Sequence, residues 1–142
     1  MRRIDYIVIH HSASSYGDSK LIDRWHRERG FKKIGYHYII LNGFRKNSRE
    51  YEVAFDGFIE PGRKLSEIGA HVKGYNKNSI GICLIGNHLF TLNQFISLKI
   101  LVKELKNKFP TAKVVGHCDL DPVNKPDCPG FDVDTFIAEV LD

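Results

Sequence analysis

Residues Ser79–Gly86 read SIGICLIG, a run without a single charged side chain. A half-exposed strand alternates apolar and polar residues, so a run this apolar belongs inside a sheet covered on both faces. Tyr6–His10 (YIVIH) is β-branched and aromatic and reads as another buried strand. GYHYIIL from Gly35 and the short segment Lys113–Gly116 read as two more. Helical patterns lie between the strands. Asp18 or Ser19 caps a helix to about Arg29, with Leu21, Ile22, Trp25 and Arg29 on one face and Gly30 as its stop. Thr91 opens the longest helix, in which Leu92, Phe95, Ile96, Ile100, Leu101, Leu105 and Phe109 keep helical spacing up to Pro110. Asp132 caps a last helix with Val133, Phe136, Ile137 and Val140 on its apolar face. Strands alternating with helices predict an α/β fold, a central mixed β-sheet flanked by helices in one domain over residues 1–142. Tyr51, Val53 and Phe55 alternate with polar neighbours and predict a hairpin arm, Asp56-Gly57 a turn, and Phe58-Ile59 a return to extended chain. Residues 117–131 read as a Pro- and Asp-rich loop.

The chemistry gathers at strand ends. His10 closes the first strand, His117 follows the last, and Cys128 lies in the loop beyond. Two imidazoles and one thiolate are three ligands of the types zinc prefers, one short of a closed tetrahedron. Catalytic zinc sites keep that fourth position for water, so the pattern points to metal-assisted hydrolysis in a surface groove. His11 competes with His10, and Cys118 with His117, because neighbouring side chains of a strand point to opposite faces; periodicity leaves these choices open. Asp119, Asp121 and Asp127 are alternative oxygen ligands, although Asp in such a loop is also ordinary turn chemistry. Lys125 is a solvated loop lysine unless Cys128 binds metal, in which case its ammonium stands ready to stabilise an oxyanion. Tyr36 and His37, taken alone, read as packing residues. His71 and Asn76, in the glycine-flanked GAHVKGYN, are candidate substrate-binding residues. His26 falls on the exposed face of the first helix and His88 in a loop, neither with a role.

A chain of 142 residues makes one compact domain. Its net charge of +4 suits anionic partners, nucleic acid or an acidic wall polymer, but the lysines and arginines are scattered rather than clustered. Three cysteines, an odd number, argue against a disulfide framework and for ligand or buried thiols. No apolar run approaches the ~18 residues of a membrane span. The basic start and short apolar stretch of MRRIDYIVIHH fall below the ~7–15 residues of a signal-peptide core, so synthesis in the cytoplasm without a signal peptide is expected.

The segments IVIHHSAS, RWHRERGFKKIGYHYII, IEPGRKLSEIGAHVKGYNKNSIGICLIGN and GHCDLDPVNKPDCPGFD, in this order, resemble the zinc N-acetylmuramoyl-L-alanine amidases. More narrowly the chain resembles the phage lysozyme-type amidases and the related peptidoglycan recognition proteins. The resemblance runs from about residue 4 to the C-terminus. It implies one Zn2+ per chain and hydrolysis of the amide between N-acetylmuramic acid and L-alanine in peptidoglycan, an endolysin-like wall lysis. By position it implies His10, His117 and Cys128 as ligands, Tyr36 and Lys125 as catalytic residues, and a largely structural His37. It implies a monomer with a glycan-peptide substrate and no nucleic-acid partner, acting on the wall after release or translocation.

The chain departs from the family pattern in three places. Phage-type enzymes carry the catalytic lysine two residues before the cysteine ligand, where this chain has Pro126; Lys125 is one position further back. Lys125-Pro126-Asp127 also fits the lysine-X-aspartate of the cytoplasmic muropeptide-recycling amidases, which makes Asp127 the rival to Cys128. Those recycling enzymes carry a catalytic glutamate where Cys83 stands, and a thiol is no carboxylate base, so the tyrosine/lysine type is favoured. Residues 43–55, with Arg45, Lys46 and Arg49, look like an insertion that extends the substrate groove. The other readings are a catalytically inactive peptidoglycan-binding module, which typically lacks a ligand, and a regulatory protein that binds a polymerase.

Overall fold

The computed structural model describes residues 2–141. Five strands form one sheet: β1 (Tyr6–His11), β2 (Tyr38–Asn42), β3 (Asp56–Pro61), β4 (Ser79–Leu84) and β5 (Lys113–Gly116), in the order β3-β2-β4-β1-β5. β2, β4, β1 and β5 run parallel, and β3 pairs antiparallel with β2 at the edge. The fully apolar β4 is central and buried at every position, as its sequence requires. Its register sets His10 opposite Cys83 and Tyr6 opposite Ser79.

Alternation along the strands divides the core in two. Ile7, Ile9, Ile40, Ile80, Ile82 and Leu84 face the helices α2 (Leu92–Lys108) and α4 (Val133–Leu141). Ile39, Leu41, Cys83 and Ile85 face the helix α1 (Ser19–Glu28) through Ile22 and Trp25. On that same second face Val8 and Val115 pack under Val72 of the Ala70–Asn76 segment. Asp18 caps α1 by accepting the Leu21 amide. Thr91 and Gln94 form a capping box on α2.

Several expectations are corrected. α2 buries Leu98, Leu101, Val102 and Leu105, while Leu92, Ile96 and Ile100 are exposed. That helix is apolar around much of its surface, so spacing alone did not choose the inner stripe. Val53–Phe55 is a short 3-10 turn rather than a hairpin arm, because the Arg45 guanidinium pairs with Glu52 and stacks over the Phe55 ring 3.7 Å from its centroid. Asp56-Gly57 opens β3 instead of turning the chain. Gly57 has φ +85°, and a Cβ there would stand 2.7 Å from the Asn93 carbonyl oxygen, so the glycine lets α2 approach the strand. The predicted strand from Gly35 becomes β2 only at Tyr38. The Ala70 amide bonds to the Gly35 carbonyl, and a Cβ on Gly35 would meet Ala70 backbone. His117–Leu120 is a short helix, α3, within the expected loop, closed by the Asp119 carboxylate accepting the Gly116 amide.

Candidate metal centre and active-site groove

His10 sits on the second face of β1, two residues after Val8, where the cover over the sheet parts. A groove of about 680 Å3 opens there between the end of α1, the Ala70–Asn76 segment and the α3 loop. His10, His117 and Cys128 converge on its floor, all buried, with their donor atoms within 4.8 Å of one another. The Nδ1 atoms of His10 and His117 are 3.1 Å apart, and Cys128 Sγ is 3.9 Å from His10 Nδ1. Two nitrogens at ~2.0–2.1 Å from one tetrahedral zinc stand about 3.3 Å apart, so the donor set fits that ion.

The structure places the alternatives left open by the sequence at different positions. His11 gives the site its backbone rather than its ring: its amide points at Cys128 Sγ at 3.4 Å. Its own Nδ1 is buried, with no hydrogen-bond partner among the described residues. Asp127 is exposed and lines a different hollow with His88 and Cys118. Cys118 donates its amide to the Cys128 carbonyl, which ties the ends of the ligand loop together.

Burial disfavours charge throughout the site. It pushes His10 well below the ordinary histidine range, helped by His71 and His117. His117 is lowered by burial and by the Lys125 ammonium. Both imidazoles are therefore neutral, the form that binds metal. Burial raises the Cys128 thiol to about 11, with the His11 amide working the other way, so a metal must displace its proton on binding.

Tyr36 is half-buried in the groove wall, its ring tilted at 54° to the His10 ring with the centroids 5.0 Å apart. Burial, then the Cys83 and Cys128 thiols, push the phenol well above its usual range and keep it protonated. Lys125 is exposed at the groove edge, held by its amide bonding to the Asp121 carbonyl. Asn76 lines the groove, but its Oδ1 accepts the amides of His71 and Val72, each at 2.9 Å. His71 also lines the groove, with both ring nitrogens within reach of protein groups.

His26, expected on an exposed face, is buried with Ile22 one turn earlier, and its Nδ1 accepts the Gly35 amide at 2.9 Å. It lines the groove together with Arg29 and Phe31, which sequence reasoning missed. The signal was present: His26 follows Ile22 at i+4, which continues the inward stripe. Residues 43–55 do not border this groove; Phe44 and Ser48 line a separate hollow with Gly86–Thr91.

The whole stretch 1–131 matches the family described as N-acetylmuramoyl-L-alanine amidase. Over 124 residues the chain is 34% identical to the endolysin of Enterobacteria phage K11, an alignment covering 82% of this chain and 72% of the phage protein. Its fold superposes on the N-acetylmuramoyl-L-alanine amidase LysC of Clostridium intestinale with a TM-score of 0.81 and 28% identity, over 99% of this chain and 87% of that one. Wild-type Drosophila PGRP-LB superposes with a TM-score of 0.73 and 26% identity, over 97% and 81% of the two chains. With its mixed sheet, its groove and its His–His–Cys cluster, the chain belongs to the N-acetylmuramoyl-L-alanine amidase family.

Proposed function

We propose that the chain binds one zinc through His10 Nδ1, His117 Nδ1 and Cys128 Sγ and uses it to cleave the N-acetylmuramic acid–L-alanine amide of peptidoglycan, as an endolysin-like wall lytic enzyme. The carrying observation is the convergence of those three donors on the floor of an open groove. Zinc, when bound, supplies Lewis acidity and an activated water at neutral pH. Protein groups do the rest. Tyr36, kept protonated by burial, serves as a hydrogen-bond donor at the reacting centre rather than as a free base. Lys125 brings a positive charge to the groove edge, where the scissile carbonyl gathers negative charge in the transition state. Arg29, Lys73 and Lys125 outnumber Asp121 among the groove's charged residues, which suits a stem peptide that carries carboxylates. A binding-only role is disfavoured because all three ligand positions are filled. The site of action is the cell wall, reached after release or translocation.

Digestion of purified peptidoglycan, followed by mass spectrometry, tests the reading. Free stem peptides with an L-alanine N-terminus are expected, and metal analysis is expected to find one zinc per chain. Intact peptidoglycan, or full activity in strong chelator without bound metal, refutes it.

A further inference from the structure

His71 is the neighbour of His10 that the cleavage reaction leaves without a task. Its Nδ1 lies 2.9 Å from His10 Nε2, on the side of the His10 ring away from His117 and Cys128. Its Nε2 lies 3.2 Å from the hydroxyl of Ser79, which is fully buried at the start of β4. The ring is wedged between two glycines: a Cβ on Gly81 would stand 2.7 Å from its Cγ, and one on Gly69 2.7 Å from its Cδ2. Asn76 pins the backbone at His71 and Val72.

We propose that His71 is a positioning residue, which fixes the His10 ring and its tautomer so that Nδ1 alone faces the metal, with Ser79 as the anchor of the relay. This role rests on the zinc reading above. A histidine that ligates through Nδ1 carries its remaining proton on Nε2 and needs a fixed acceptor for it. Among the described residues, His71 Nδ1 is the group that stands in that place. To accept there, His71 must carry its own proton on Nε2, and Ser79 Oγ is the group within reach to receive it. The protons of the relay thus all point one way, from His10 to His71 to Ser79. His71 then has no ring N–H free for substrate. Glycine at 81 and 69 is what admits the ring, since any side chain at either position would occupy its space.

The test is zinc affinity of the whole chain, measured by competition with a chromogenic chelator. His71→Ala is expected to weaken zinc binding about 10–100-fold, the usual loss when such a supporting partner is removed. His71→Asn, whose Oδ1 takes the place of Nδ1, is expected to recover most of that loss, and Ser79→Ala to fall between. In the zinc-loaded wild type, long-range 1H–15N spectra are expected to show His71 protonated at Nε2 only. An affinity of His71→Ala within about twofold of wild type, equal loss in the Ala and Asn variants, or a His71 proton on Nδ1 overturns the proposal. If His71→Ala does not fold without metal, judged by its circular dichroism melt, His71→Asn and the spectra decide. Should the wild type bind no zinc, the metal reading itself fails and this role falls with it; zinc lost in Cys128→Ser but unaffected in His71→Ala removes only the positioning role.

Discussion

Ile9 and His10 are consecutive residues of β1, and both are buried, at 0% and 1% exposure. Their surroundings are opposite. Ile9 enters a closed apolar layer under α2, where only contact and volume matter. His10 enters a layer in which every neighbour is chosen: His71 on one nitrogen, His117 and Cys128 near the other, and Tyr36 against its face. Equal burial therefore conceals two kinds of order. On one face many interchangeable contacts add up; on the other, a few fixed partners satisfy groups that are costly to bury alone.

The contrast is broken most severely at Cys128. Cys128→Ser is expected to lose the zinc and nearly all peptidoglycan cleavage, while Asp127→Asn keeps both. Metal analysis of the two proteins decides, and loss of zinc from Asp127→Asn alone makes the carboxylate the ligand. Next comes Tyr36→Phe, which keeps the ring and removes one hydroxyl. Turnover should fall by about 10²–10³-fold with fold and zinc retained, the usual loss when one transition-state hydrogen-bond donor is removed. Near-normal turnover in a zinc-loaded variant reduces Tyr36 to packing.

The closed face should respond in the other currency. Leu98→Ala, at a fully buried position of α2, should cost about 2–5 kcal/mol in urea unfolding, with turnover per folded molecule unchanged. A changed turnover would mean that the two layers communicate. The smallest effect is expected at the groove rim. Lys125→Ala should leave zinc content and melting temperature in place and lower kcat by about 10²-fold, as for loss of one oxyanion donor. An unchanged kcat assigns that charge to another group, and the residue inserted between Lys125 and its family position becomes the reason.

Much of this was legible in the residues. Runs such as SIGICLIG and YIVIH have one reading, because a continuously apolar strand has only one stable place in a sheet. The grouping of His10, His117 and Cys128 was legible jointly, since one histidine lies at the end of a strand, the other follows one, and the thiol lies in the loop beyond. What stayed hidden depended on partners distant in sequence. The stripe of α2 is ambiguous because Leu92, Ile96 and Ile100 are as apolar as the residues it buries; the sheet makes the choice. Asp56-Gly57 has the composition of a turn, and only the nearness of Asn93 shows why the glycine is needed. His71 has the look of a loop histidine until the fold sets Gly81 and Ser79 beneath it.

The backbone tie from Cys118 to Cys128 has a consequence for synthesis. The chain is made from its N-terminus, and His10 leaves the ribosome more than a hundred residues before Cys128. The strand that leads into His117 pairs with β1, so its partner is made about a hundred residues before it. The candidate metal centre can therefore be complete only once Cys128 has been made, and a chain truncated before that residue lacks one of the three donors proposed to hold the metal. On the proposed ligand set, the order of the residues withholds the cutting centre until nearly the whole chain has been joined.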